Sequence, residues 1–198
     1  MPRVEFTYSS VYDEQWRAAW KRSAKRSGRY PSPEEVQRFM RKVERAWRRS
    51  EAGVFRSIAR VSGLRWSDDP HVCYVVGYAI PFSDPLTLPV FGPKAPVNYV
   101  VDVLTHELIH RLLIGRRAAA RVRTALSRLK REYPRENENV RTHIIVHAIH
   151  WRVFETEFGV ARLHRERRIM GTVPDYRRAW EIVEAEGAAP LIQRFLRR

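Results

Sequence analysis

The segment from residue 97 to residue 114 (VNYVVDVLTHELIHRLLI) constrains the fold more than any other segment of the chain. At 3.6 residues per turn it is apolar on nearly every side, which is typical of a helix enclosed by the protein. It nevertheless carries His106, Glu107 and His110. Burying such side chains costs free energy unless they find partners, so the sequence predicts a fold built around one enclosed helix whose polar groups need compensation.

These residues belong to the pentapeptide His106-Glu107-Leu108-Ile109-His110. On a helix, positions i and i+4 lie one turn apart on the same face, so both imidazoles can reach one zinc ion at about 2.0–2.1 Å. Glu107 lies off that face, where it can take a proton from a water in the metal's open position. The plainer interpretation is that both histidines are core residues bonded to backbone groups and that Glu107 pairs with an arginine.

A catalytic zinc ion takes three protein ligands, and a second predicted helix offers candidates for the third. This helix is expected to start near Asn137 or Asn139 and to run to Phe158, with Gly159 as its C-terminal stop. At about 100° per residue, His147 falls in the middle of the apolar face of this helix and His143 falls at its margin. Glu136 lies in the same line if the helix extends back that far, whereas Glu138 points to the opposite side. The residues by themselves leave the third ligand open.

The motif and its setting resemble the zincin-type metallopeptidases, in which H-E-x-x-H lies on an active-site helix packed beside a small sheet. The resemblance covers residues 101–114 and, more loosely, the order of strands and helix over residues 71–114. It implies an α+β fold, a zinc cofactor and hydrolysis of peptide bonds in a peptide or protein substrate. By this resemblance His106 and His110 are metal ligands and Glu107 is the general base.

Within this group the chain is most similar to the gluzincin-like branch, in which the helix after the motif supplies a glutamate ligand. By that resemblance His143 binds zinc in place of the usual glutamate, and His147 lies behind it as a supporting residue. The immunity-region peptidases of mobile elements instead use a glutamate at a distance from the motif close to that of Glu136 or Glu138. We therefore rank His143 first, His147 second and the two glutamates third.

Stabilising the transition state also requires a donor aimed at the developing oxyanion. Tyr133, His150, Tyr176 and nearby arginines are candidates on the later helices. Their spacing does not distinguish among them.

Patterns in the rest of the chain predict a single α+β domain over residues 1–198, mostly helical, with a small mixed or antiparallel sheet beside the motif helix. Its predicted regions are a helical N-terminal region (1–63), the sheet (64–96), the metal-site helices (97–159) and C-terminal helices (160–198).

Local signals place the elements of the first half. A run from Asp13 is typical of a first helix, and Ser32 opens a capping box with proline at N1, from which a long helix runs to Gly63 with a bend at Gly53. Strand-like runs follow at residues 65–67, 71–80 and 86–91. Pro89 predicts that the last of these is an edge strand or an irregular extended segment. An extended peptide substrate can add as a further strand along such an open edge.

The charge of the chain suggests a second class of function. Lys and Arg number 37 against 22 Asp and Glu, which gives a net charge of +15 and favours polyanionic partners. The alternative function is therefore a basic nucleic-acid-binding protein with a structural or degenerate zinc site. The single cysteine, Cys73, excludes an internal disulfide framework. No apolar run is long enough for a membrane span and MPRVEFTYSS lacks a signal-peptide core, so we expect a cytoplasmic protein without membrane contact.

Overall fold

The computed structural model describes residues 2–24, 28–92 and 95–196, and these ranges contain nine helices and four short strands. In chain order the elements are β1 (Val4–Thr7), α1 (Ser10–Arg22), α2 (Pro33–Trp47), α3 (Glu51–Ser62), β2 (His71–Val76), β3 (Phe82–Ser83), β4 (Leu86–Pro89), α4 (Val97–Ile114), α5 (Ala119–Glu132), α6 (Glu138–Glu157), α7 (Val160–Met170), α8 (Pro174–Glu186) and α9 (Ala188–Leu196). This content confirms the predicted α+β class. None of the described helices combines the length and the apolar character that crossing a membrane requires.

The chain divides into two compact units. The first comprises Met1–Ala52 and Asp68–Arg111, and the second comprises Gly53–Ser67 and Leu112–Arg198. The boundaries fall inside α3 and α4, so each of these two helices contributes residues to both units.

The first unit contains one mixed sheet in the order β1-β2-β4-β3. β1 runs parallel to β2, with Val4 opposite His71, and β2 runs parallel to β4, with Tyr74 opposite Thr87. β3 pairs antiparallel with β4 over two residues. Two of the three pairings are parallel, so the sheet is mixed rather than purely antiparallel.

The structure corrects three sequence predictions for the strands. The N-terminal region, residues 1–63, is not wholly helical, because β1 joins the sheet, and no strand forms at residues 65–67. The run 86–91 is not an edge strand, because β4 lies between β2 and β3. Pro89 lacks an amide hydrogen but costs β4 no hydrogen bond. The bond to β2 is donated by the next amide, that of Val90, so the nitrogen of Pro89 faces the β3 side of the strand. β3 is only two residues long and does not reach Pro89.

The capping box at the start of α2 is confirmed, but the long helix predicted after it is two helices. Ser32 Oγ accepts from the amide of Glu35 at 3.3 Å, and the carboxylate of Glu35 accepts from the amide of Ser32 at 2.8 Å. The break lies at residues 48–50, between α2 and α3, and not at Gly53. Gly53 lies inside α3, where a Cβ atom would stand 2.3 Å from a carboxylate oxygen of Glu157. This carboxylate is the end of a flexible side chain, so it could move aside for a larger residue at position 53.

The first helix begins before the residue at which the sequence placed its start. α1 begins at Ser10, and Ser9 is its N-cap, with a side chain that accepts from the amide of Tyr12 at 3.3 Å. Asp13 lies in the first turn instead and is only 1% exposed. The acid that resembled a helix start is therefore a buried group that needs partners of its own.

Asp13 obtains those partners from three separate segments of the first unit. Its Oδ1 accepts from the hydroxyl of Tyr30 at 2.6 Å and from the amide of Gly77 at 2.7 Å, and its Oδ2 accepts from the hydroxyl of Tyr8 at 3.2 Å. A Cβ atom at Gly77 would lie 2.5 Å from the ring of Tyr30, so only glycine allows this close packing. The carboxylate thus connects α1, the segment before α2 and the end of β2.

We predict that Asp13→Ala lowers the free energy of unfolding by about 3 kcal/mol, because it leaves a buried amide and two hydroxyls without their charged acceptor. Urea unfolding followed by circular dichroism measures the loss. The neighbouring Glu14→Ala is the control, since Glu14 is exposed and makes an i,i+3 pair with Arg17. Equal stabilities of the two variants would contradict this account of the first unit.

In the second unit, α6 is the central helix, and α5, α7, α8 and α9 all contact it. Every residue from 143 to 150 is buried. Asn137 is the N-cap and accepts from the amide of Val140 at 2.9 Å, which confirms the predicted start of this helix. Gly159, with a φ of 83°, marks the predicted stop.

Candidate metal centre

The motif helix α4 is enclosed, as its apolar pattern predicted. All residues from 100 to 109 are buried, and His110 is half-buried. The polar residues in this enclosed stretch are Asp102 and Thr105, each 0% exposed, His106, at 4%, and Glu107, at 8%. An all-round apolar helix therefore brings four polar side chains out of water.

The two motif histidines meet at their Nε2 atoms, which lie 3.2 Å apart. Two nitrogen ligands of a tetrahedral zinc ion, each at about 2.0–2.1 Å from the metal, lie about 3.3 Å from one another. The pair therefore already has the spacing that one ion requires. The i,i+4 geometry of the helix produces it, since both rings extend from the same face.

Glu107 has the surroundings of a buried acid. Burial raises its pKa to about 8, because a carboxylate among apolar groups lacks solvation. Burial also raises the pKa of the Cys73 thiol on β2, and the negative charge of Glu107 adds to that increase. A divalent cation beside Glu107 acts in the opposite direction and favours the carboxylate.

One ring nitrogen of His143 forms a hydrogen bond with the backbone. Its Nδ1 lies 2.8 Å from the backbone oxygen of Asn139, and because a carbonyl only accepts, Nδ1 carries the proton and Nε2 carries the lone pair. Metal-binding histidines commonly show this arrangement, in which the second nitrogen donates to a carbonyl. Burial lowers the pKa of His143, which favours the neutral, ligating form of the ring.

The structure brings His106, His110 and His143 together. Each offers one ring nitrogen, and these three nitrogens all lie within 4.8 Å of one another. In the described ranges of the chain, this is the group of three His, Cys, Asp or Glu side chains with spacing suitable for a metal ion. Three neutral imidazoles are a donor set that zinc accepts.

The other candidates for the third ligand lie outside this group. His147 is completely buried and stacks on Trp180, with ring centroids 4.2 Å apart and planes at 11°. Glu136 precedes the helix and pairs with Arg178 at 2.8 Å. Glu138 is exposed in the first turn of α6. The helix does not extend back to Glu136, because the chain enters α6 through its N-cap one residue later.

The three named candidates for the oxyanion donor differ in their contacts. Tyr133 donates its hydroxyl to Glu186 at 2.6 Å, and His150 is buried and stacks on Phe154 with centroids 3.9 Å apart. Tyr176 stacks on the ring of His143, with centroids 4.1 Å apart and planes at 29°. Of the three, Tyr176 is the one packed against a member of the histidine group.

Asp175 supports His143, and sequence reasoning missed it. Its carboxylate accepts from the side-chain amides of Asn137 at 3.0 Å and Asn139 at 2.9 Å, which holds the first turn of α6 against the start of α8. The carbonyl of Asn139 in that turn is the group that orients His143. In the sequence, Asp175 follows Pro174 and resembles any acid in the first turn of a helix, so no local pattern reveals this pairing.

Asp102 is a second buried acid on α4. It lies four residues before His106 and is 0% exposed. At this spacing it is one helical turn from His106, on the same side of the helix.

Comparison of the chain with protein-family models, with curated proteins and with solved structures finds no match. The resemblance to zincins therefore stays a prediction based on the motif.

We predict that Asp175→Ala weakens zinc binding about tenfold, because it releases the turn whose carbonyl orients His143. Competition with a chromogenic chelator measures the affinity. Glu181→Ala is the matched control on the same helix, since Glu181 pairs with the exposed Arg178 at 3.4 Å and not with the first turn of α6. Unchanged zinc affinity in the Asp175 variant would show that the turn does not position the ligand.

Proposed function

We propose that this protein is a zinc-dependent metallopeptidase. The observation that supports it most is the group of three histidine nitrogens within 4.8 Å of one another, two of which flank Glu107 in the H-E-x-x-H sequence. The motif supplies two ligands and a general base, and α6 supplies a histidine whose Nε2 carries the lone pair that a metal ligand needs. His106, His110 and His143 would hold the metal.

The number of ligands favours a catalytic over a structural role. Structural zinc sites usually have four protein ligands, whereas catalytic sites have three and leave one position open. The group in the described residues has three members. A structural or degenerate zinc site, as in the alternative of a purely nucleic-acid-binding protein, is therefore the weaker candidate.

When bound, the zinc ion supplies a Lewis acid that lowers the pKa of water to about 7 and polarises the scissile carbonyl. Glu107 then acts on protons. Its carboxylate accepts a proton from the attacking water as the water oxygen bonds to the carbonyl carbon, and it returns that proton to the amide nitrogen as the C–N bond breaks. The second proton of the water passes from the new carboxyl group to the amine, so the products are a carboxylate and an ammonium group, and the Glu107 carboxylate is regenerated.

The burial and the position of Glu107 suit this role. The side chain is only 8% exposed, so bulk water does not compete for the proton. Its position immediately after His106 would set the carboxylate beside a metal held by the histidines rather than among the ligands, since successive helix residues point about 100° apart. Glu107 thus serves as a base while the two histidines serve as ligands.

We predict that Glu107→Gln cleaves an unfolded protein substrate such as fluorescein-labelled casein at least 100-fold more slowly than the wild type, because the amide cannot accept the proton. The variant still binds one zinc ion per chain, measured by plasma mass spectrometry. Glu138→Gln is the matched control: it makes the same chemical change at an exposed position and removes one alternative ligand.

The two measurements separate the site from the mechanism. Wild-type protein that holds no zinc would refute the metal site. Undiminished cleavage by zinc-loaded Glu107→Gln would refute the role of Glu107, and loss of zinc in Glu138→Gln would show that the third ligand is a glutamate.

A further inference from the structure

The exposed side of α2 carries a row of positive charges. Arg38, Arg41, Lys42 and Arg45 are all exposed, and we call these four residues the α2 cationic stripe. At 100° per residue they fall within an arc of about 100°, and at 1.5 Å per residue they span about 10 Å along the helix. The stripe is thus one narrow face of one helix.

The opposite face of α2 is fixed in the core of the first unit. Val36, Val43 and Trp47 are each 0% exposed, and their spacing places them on the side opposite the stripe. The capping box at Ser32 and Glu35 secures the start of the helix. The four cations therefore project from a rigid, anchored helix and not from a loose segment.

The charge of the stripe is only partly balanced within the protein. Arg38 interacts electrostatically with Glu34 and Glu35 of the same helix, but none of the four stripe residues forms an ion pair with another residue that the structure describes. The acids of α2 have other partners: Glu35 pairs with Arg29 at 2.5 Å, Glu44 pairs with Arg48 at 2.9 Å, and Glu34 accepts from Ser32 at 2.7 Å. The stripe is consequently available to an external anion.

The residues of the α2 cationic stripe favour one class of polyanionic partner over the others. Three of the four side chains are arginines, whose planar guanidinium groups bind phosphate in a bidentate manner. A helix that lies on a membrane inserts its apolar face, but the large apolar residues of α2 are already buried or half-buried in the protein. Proteins that bind single strands stack bases on exposed aromatic side chains, and the exposed residues of α2 are all charged. Contacts with the backbone of a duplex need only the cations.

We propose that the α2 cationic stripe is a docking surface for the phosphate backbone of a nucleic-acid duplex. This goes beyond peptide hydrolysis and is independent of it, because no residue of the stripe belongs to the histidine group. Backbone contacts carry no sequence information, so the docking is independent of base sequence and weakens as salt rises.

The test is the salt dependence of binding to a fluorescein-labelled duplex of about 20 base pairs, DNA and RNA in parallel, followed by fluorescence anisotropy. In Arg38→Gln/Arg41→Gln/Arg45→Gln the slope of log K against log salt falls by about 2 to 3, and affinity at about 0.1 M salt falls about tenfold. Glutamine is a good helix former, so α2 is preserved, which circular dichroism checks. The control is Arg123→Gln/Arg131→Gln/Arg135→Gln, which removes the same charge from exposed positions on α5 and just after it.

A much smaller loss in the control than in the stripe variant supports the proposal, whichever duplex binds. Equal losses in the two variants would overturn it, because overall charge would then explain the binding. Tighter binding to a single strand or to phosphatidylserine vesicles than to either duplex would overturn it as well. We expect the zinc content and the casein cleavage of the stripe variant to remain at wild-type levels. The binding experiment therefore tests the duplex proposal independently of the metallopeptidase proposal.

Discussion

The burial of polar side chains on α4 is the constraint on which the rest of this structure depends. Asp102, Thr105, His106 and Glu107 are almost completely removed from water. Such burial is stable only when the groups are paired, bonded or bound to a metal. Thr105 is satisfied within its own helix, by the backbone oxygen of Val101 at 2.8 Å. For the motif histidines, the proposed shared cation would provide compensation of the same kind.

His143, the proposed ligand on α6, is held in place by contacts within the second unit. His143 donates to Asn139, stacks on Tyr176 and lies in a helix surrounded by four others. These contacts fix the ring before any ion arrives, which reduces the entropy that binding must overcome. The net charge of +15 is not needed to explain this site, because its proposed residues are three histidines and Glu107. The exposed cations instead concern what the protein approaches.

The sequence predicted those elements of the fold that local chemistry determines. The burial of α4, the start of α6 at Asn137 and the capping box of α2 follow from residues within a few positions of one another. The order of the strands does not, because β1 is only four residues long and pairs with a strand far along the chain. Pro89 suggested an edge strand, yet the shortness of β3 allows a proline in an inner one. The supporting role of Asp175 likewise depends on a tertiary contact.

The central claim is that one zinc ion binds to three histidines with an open fourth position. Anomalous diffraction at the zinc edge, from a crystal of the zinc-loaded protein, tests it most directly. The account predicts one strong peak about 2.0–2.1 Å from a ring nitrogen of each of His106, His110 and His143, with no protein atom as fourth ligand. A peak at another site, a fourth protein ligand, or the absence of zinc from intact protein would contradict it.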